Sequence, residues 1–140
     1  MEPIGLLDTN VILRFVMQDV PEHIEPSVQF FEALQRGEFT VRLLDTVVFE
    51  CVYALGTVYA MPRSEIARIL TRILAEPGII LPGKERYSDV FAFWAKTKRL
   101  SFADTYHLFA TKDLGLDQII SFDRGLRGLD GVTRVEPPLR

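Results

Sequence analysis

The run Ile4-Gly5-Leu6-Leu7 is apolar, too short for a helix, and reads as a fully buried strand. It ends abruptly on Asp8-Thr9-Asn10, and Val11, Ile12, Phe15 and Val16 then recur at helical spacing. A strand that passes straight into a helix opens a βα unit, and the alternation continues along the chain. Phe39–Leu44, Ile79–Leu81, Gln118–Ile120 and Val132–Val135 read as further strands, the last at an edge. Helical patterns cover about 10–17, 22–35, 46–62, 63–76, 85–97 and 101–114, with a short one over 124–129. Strands that alternate with helices imply right-handed crossovers and a parallel sheet with helices on both faces, a three-layer α/β sandwich. A chain of 140 residues suits one domain spanning 1–140 and is long enough to bury a core.

The composition excludes several classes. Sixteen basic residues against nineteen acidic ones give a net charge of −3, so contact with nucleic acid has to come from a local patch. Cys51 is the single cysteine, which rules out an intrachain disulfide, and His23 and His107 are too far apart in sequence to suggest zinc. No apolar run is long enough for a signal peptide or a membrane span, so a cytoplasmic location without a membrane partner is expected.

Four acids stand at special places. Asp8 leaves the first strand, where open α/β sheets bind ligands, although Asp, Thr and Asn are also good helix caps. With Asn10 able to cap, Asp8 is left over. Glu50 is the one charge between Thr46 and Pro62, in a helix so apolar that it is expected to be buried on nearly every side. Such a Glu needs a partner, a metal or a polar cleft, unless it is simply a first-turn acid favoured by the helix dipole. Asp104 follows Ser101 at capping-box spacing, and the structural alternative is strongest there. Asp123 leaves the strand Gln118–Ile120 through Ser121-Phe122, the same grammar as Leu7-Asp8. Lys96, Lys98 and Arg99 form a basic cluster that reads either as a solvated helix end or as a phosphate contact.

In a parallel sheet, strand exits and the helix starts that follow them share one edge. Carboxylates gathered there repel, and a hard divalent cation resolves the repulsion. A site of acids without His or Cys suits Mg²⁺ or Mn²⁺ and, with them, phosphoryl or phosphodiester chemistry. A non-catalytic acidic pocket, such as a receiver-like switch module, is the competing class. It wants paired acids after the first strand and a lysine near the last, and the chain has neither.

Leu6-Leu7-Asp8-Thr9-Asn10, Val48-Phe49-Glu50-Cys51-Val52, Phe102-Ala103-Asp104 and Ser121-Phe122-Asp123 resemble, in order and spacing, the four blocks of the PIN-domain ribonucleases. The short form resembles the VapC toxins of toxin–antitoxin pairs. The resemblance implies a PIN-like α/β fold and a Mg²⁺- or Mn²⁺-dependent endoribonuclease that leaves a 5′-phosphate and a 3′-hydroxyl. It also implies that Asp8, Glu50 and Asp104 bind or organise the metal, with Asp123 completing the pocket. Asn10 and Ser121 match supporting polar positions. RNA as substrate, a small antitoxin as partner and a homodimer are implied as well. Leu13, Phe15, Val16, Phe30, Phe31 and Leu34 are more bulky apolar groups than one packed face needs, which fits a docking surface for that antitoxin if they are not all core.

Overall fold

A computed structural model of the chain describes residues 1–126 and 130–139. They form two compact units, Met1–Lys84 and Glu85–Arg140. The first contains β1 (Pro3–Leu6), α1 (Thr9–Met17), α2 (Pro21–Gln35), β2 (Thr40–Arg42), α3 (Asp45–Tyr53), α4 (Arg63–Leu74) and β3 (Ile79–Ile80). Between α3 and α4 the helix widens into a π-helical turn, Ala54–Val58. The second unit contains α5 (Arg86–Lys96), α6 (Phe102–Asp113), β4 (Gln118–Ile120) and β5 (Thr133–Val135).

The parallel α/β character read from the sequence is what the structure shows. The first unit holds a three-stranded parallel sheet in the order β1-β2-β3, with Leu6 opposite Arg42 and Val41 opposite Ile79. The second holds a parallel pair, with Ile119 opposite Arg134.

Local chemistry explains the element ends. α1 stops at Met17, where Gln18 turns left-handed and donates its N–H to the Arg14 carbonyl. Pro21 opens α2 at a first-turn position where its missing N–H costs nothing. At the other end of α2, Gly37 has φ of 77° and donates to the Leu34 carbonyl, and Glu38 donates to that of Ala33. That is the double closure that glycine permits and a Cβ opposes. Gly78 leads into β3 under tighter constraint, because a Cβ there would lie 2.6 Å from Leu34 Cδ1.

Helix α4 carries an apolar stripe at i, i+3, i+4, i+7 and i+8: Ile66, Leu70, Ile73 and Leu74 are buried, as are Leu43, Leu55 and Ile79 of the same unit, whereas Ile69 is half-buried. In the second unit Val90, Phe91 and Trp94 are buried, and Phe102 sits 4.9 Å from the ring of Phe91 and 5.4 Å from that of Trp94. Leu100, Leu108 and Leu126 form a second apolar cluster there. No described helix is long and apolar enough to cross a membrane.

Four expectations are corrected. β1 is not fully buried: within the first unit's sheet it pairs with β2 on one side, and Ile4 and Leu6 are 69% and 60% exposed. Burial begins only at Leu7. The helix through Glu50 is not covered on nearly every side either, because Tyr53 and Val58 are 67% and 68% exposed. Its apolar run is interrupted by the π-helical turn, which re-aims the residues beyond it. Asn10 is no cap: α1 starts at Thr9, which places Asn10 inside its first turn. Finally, Arg124 and Gly125 form a turn rather than the start of a short helix, because the Asp123 carboxylate takes the Gly125 N–H; residues 127–129 of that helix lie outside the described ones.

Candidate active site

In the first unit the two candidate acids are linked through a threonine. Asp8 occupies the N-cap position of α1, with φ −91° and ψ 157°, yet its carboxylate makes no capping hydrogen bond. A capping role therefore does not explain Asp8. Its neighbour Thr9 is buried, and its hydroxyl donates to Glu50 Oε2 at 3.0 Å across from α3. Thr9 thus fixes the Glu50 side chain beside the residue that follows Asp8. Sequence reading passed over Thr9 as a supporting group. The one signal for it was a hydroxyl next to a left-over acid, facing a helix whose sole charge needed a partner.

Cys51 reports the field of this pair. Its thiol is fully buried, and burial first, then the charges of Glu50 and Asp8, push it up from 9.0 to about 12. Asp8 and Asn10 also line a cavity of about 860 Å³ with Arg14, His23 and Phe30.

In the second unit the hydroxyls serve the backbone. Ser101 caps α6 by accepting the Asp104 N–H at 3.1 Å, and Thr105 Oγ1 donates to the Ser101 carbonyl at 2.9 Å. Asp104 lines a cavity of about 410 Å³ with Ser121 and His107. Ser121 Oγ accepts the Asp123 N–H at 3.0 Å, and Asp123 Oδ1 accepts the Gly125 N–H at 2.9 Å. One oxygen of the Asp123 carboxylate is thus committed to its own turn. Arg99 donates to the Gly125 carbonyl, which gives it a place in holding that turn, whereas Lys96 and Lys98 are exposed.

The donors suit a hard cation. Asp8 and Glu50 offer carboxylate oxygens, the Thr9 hydroxyl holds the second of them, and the Cys51 thiol beside them keeps its proton. Among the described residues no three His, Cys, Asp or Glu side chains are gathered as a metal cage. Mg²⁺ asks for less than a cage, since one or two carboxylates, water and substrate phosphate complete its shell.

Of the six bulky apolar residues on α1 and α2, Leu13, Phe31 and Leu34 are core, whereas Phe15, Val16 and Phe30 are half-buried. Phe15, Val16 and Phe31 line a groove of about 470 Å³ together with Ile69 and Ile73 of α4.

A parallel α/β scaffold with an acid at a strand exit, followed by a threonine whose hydroxyl holds a helical glutamate, defines a class, and comparison agrees. Residues 5–132 match the PIN domain family, and the chain belongs to it. It is similar to a VapC ribonuclease of Aquifex aeolicus (strain VF5), at 30% identity over 133 residues, covering 94% of this chain and 96% of that protein.

Proposed function

We propose that this chain is a Mg²⁺- or Mn²⁺-dependent endoribonuclease acting in the cytoplasm as the toxin of a toxin–antitoxin pair. Membership of the PIN domain family and similarity to a VapC ribonuclease support the class of reaction. The observation that carries the site is the Thr9–Glu50 bond beside an Asp8 carboxylate with no capping duty. Asp8 and Glu50 supply the first metal-facing oxygens, and Asp104 and Asp123 complete the acidic set. When bound, the metal would lower the pKa of an attacking water and stabilise the leaving oxygen.

The chain's own residues orient that chemistry. Thr9 holds Glu50 in one rotamer, and Asn10, inside the first turn of α1, presents an amide to the substrate beside Asp8. Ser121 fixes the Asp123 backbone and, with Asp104, lines the second unit's cavity. Lys96 and Lys98 are exposed cations suited to RNA phosphates, with Arg99 beside them. The groove between α1, α2 and α4 has an apolar floor and charged walls that include Arg68, Arg72 and Glu32, features that suit an amphipathic helix of a small antitoxin. A homodimer belongs to the same reading, and light scattering of the purified protein tests it.

The deciding experiment is incubation of total cellular RNA with the protein, with and without Mn²⁺, followed by mapping of the cut ends, beside Asp8→Asn. Metal-dependent cuts that leave a 5′-phosphate and vanish in the variant are expected. Cleavage in chelator, or an Asp8→Asn variant that cuts like wild type, overturns the reading.

A further inference from the structure

A second tie joins α1 to the helix that carries Glu50. Arg14 Nη2 donates to the Tyr59 hydroxyl at 2.9 Å, and that hydroxyl donates to Asp19 Oδ2 at 2.8 Å. Arg14 Nη1 lies 3.6 Å from Asp19 Oδ1 and closes the triangle. Arg14 Nε is buried with no hydrogen-bond partner among the described residues, a cost that the bonds of the guanidinium head have to offset. This side chain is therefore held in place rather than merely resting there.

The tie depends on the π-helical turn. Tyr59 lies nine residues beyond Glu50, and at about 100° per residue an unbroken α-helix would put it about 180° around the axis from Glu50. Accommodating one extra residue takes about 100° off that angle and brings the two within about a quarter turn. The wide turn is seen directly, because the Tyr59 N–H donates to the Ala54 carbonyl, five residues back, at 3.1 Å. The flanking backbone is also unusual. Gln18 and Ala60, with φ of 50° and 54°, are the non-glycine residues with positive φ among those described, and both border this triangle. Left-handed conformations outside glycine persist where surrounding contacts enforce them, and they cluster at functional sites.

Mechanically, the Thr9–Glu50 bond alone is a pivot. A helix held there could still swing and change the separation of Asp8 from Glu50. A second attachment five residues along α1, roughly 7–8 Å up its axis, removes that freedom. We propose that Tyr59 and Arg14 are positioning residues for the Asp8–Glu50 carboxylate pair, and that the π-helical turn is what brings Tyr59 within reach. The inference rests on the reading that Asp8 and Glu50 face a divalent metal.

The test is Mn²⁺ binding by titration calorimetry and RNA cleavage kinetics on wild type and Tyr59→Phe, with melting curves in chelator beside them. Tyr59→Phe keeps the ring and removes the bridging hydroxyl. Mn²⁺ binding should weaken about tenfold, the scale of outer-sphere metal partners, and kcat should fall with KM for RNA unchanged. Asp19→Asn keeps the shape and one acceptor, so about a threefold weakening is expected, below the full effect of such a partner. Wild-type Mn²⁺ affinity in Tyr59→Phe overturns the proposal, whatever its melting temperature, because the role is then only structural. If Tyr59→Phe does not fold, Asp19→Asn decides, and unchanged affinity in it overturns the proposal equally. If wild type itself neither binds Mn²⁺ nor cleaves RNA, the metal reading is what fails.

Discussion

Thr9 and Ser101 are both hydroxyl residues near a candidate acid, and they use the hydroxyl in opposite ways. Thr9 donates to a carboxylate 41 residues away in sequence and leaves its neighbour Asp8 without a capping bond. Ser101 accepts the N–H of Asp104 three residues on and closes a helix end. Ser121 likewise accepts the N–H of Asp123 two residues on, here in a turn after a strand. The first unit thus uses its hydroxyl to set a distance between elements, whereas the second uses its hydroxyls to finish local structure. Long-range bonds place charge, and local bonds stabilise the scaffold beneath it.

The comparison breaks most clearly at the carboxylates. Asp8→Asn and Glu50→Gln should each lower metal-dependent RNA cleavage by at least about 100-fold with the fold intact, as loss of a group facing developing charge does. Two variants cutting at near wild-type rates would remove the first unit from the chemistry. Next in size is Thr9→Val, which keeps the shape and frees Glu50. Activity should fall about 10-fold or more, the range for partners that orient a metal ligand. Ser101→Ala should behave differently: about 1 kcal/mol of stability lost in urea unfolding, with the cleavage rate of the folded protein kept. Equal activity losses in Thr9→Val and Ser101→Ala would erase the contrast.

Melting in chelator sharpens it further. Asp8 makes no capping bond and stands next to the threonine that holds Glu50, so Asp8→Asn, which removes one of two neighbouring negative charges, should melt at or above wild type. Asp104 stands in the first turn of α6, where its charge favours the helix, so Asp104→Asn should melt slightly lower, by roughly 0.3–1 kcal/mol. Mn²⁺ should raise the wild-type melting temperature through binding linkage, and less so in either variant. The smallest effect belongs to Cys51. Its folded thiol holds its proton up to about 12 against 9.0 ordinarily, so the folded state binds that proton more tightly between those values. Stability should therefore be intact below pH 9 and fall as pH rises through that window. Cys51→Ala should flatten this slope, which denaturant titrations at pH 8 and pH 10.5 would show.

Much of the scaffold was legible from periodicity. Five strand runs and six helices come from the pattern, and of the stripe Ile66, Ile69, Leu70, Ile73 and Leu74 all but the half-buried Ile69 are core. The miss at β1 has a simple cause: an apolar run signals surface that can be covered, and periodicity does not say which neighbours a strand has. The miss beyond Glu50 is also physical, since a single inserted residue leaves composition unchanged and rotates everything after it. In the site, Asp8 and Asp123 could be singled out because each follows an apolar strand run, and Glu50 because it is the one charge between Thr46 and Pro62. The Thr9–Glu50 bond and the Arg14–Tyr59–Asp19 triangle could not, because they join residues whose proximity only the tertiary fold creates.

The approach of Leu34 to Gly78 has a consequence for which sequences can share this fold. A methyl at position 78 would meet Leu34 Cδ1 at 2.6 Å and Cγ at 2.9 Å, with the Leu34 carbonyl at 3.3 Å behind them. The Gly78 carbonyl also accepts the Val41 N–H at 2.8 Å, so the strand entry cannot retreat without giving up a sheet bond. Positions 34 and 78 are therefore coupled in what they can accept. Relatives with alanine at 78 should carry a shorter side chain at 34, and the pair should drift together or not at all.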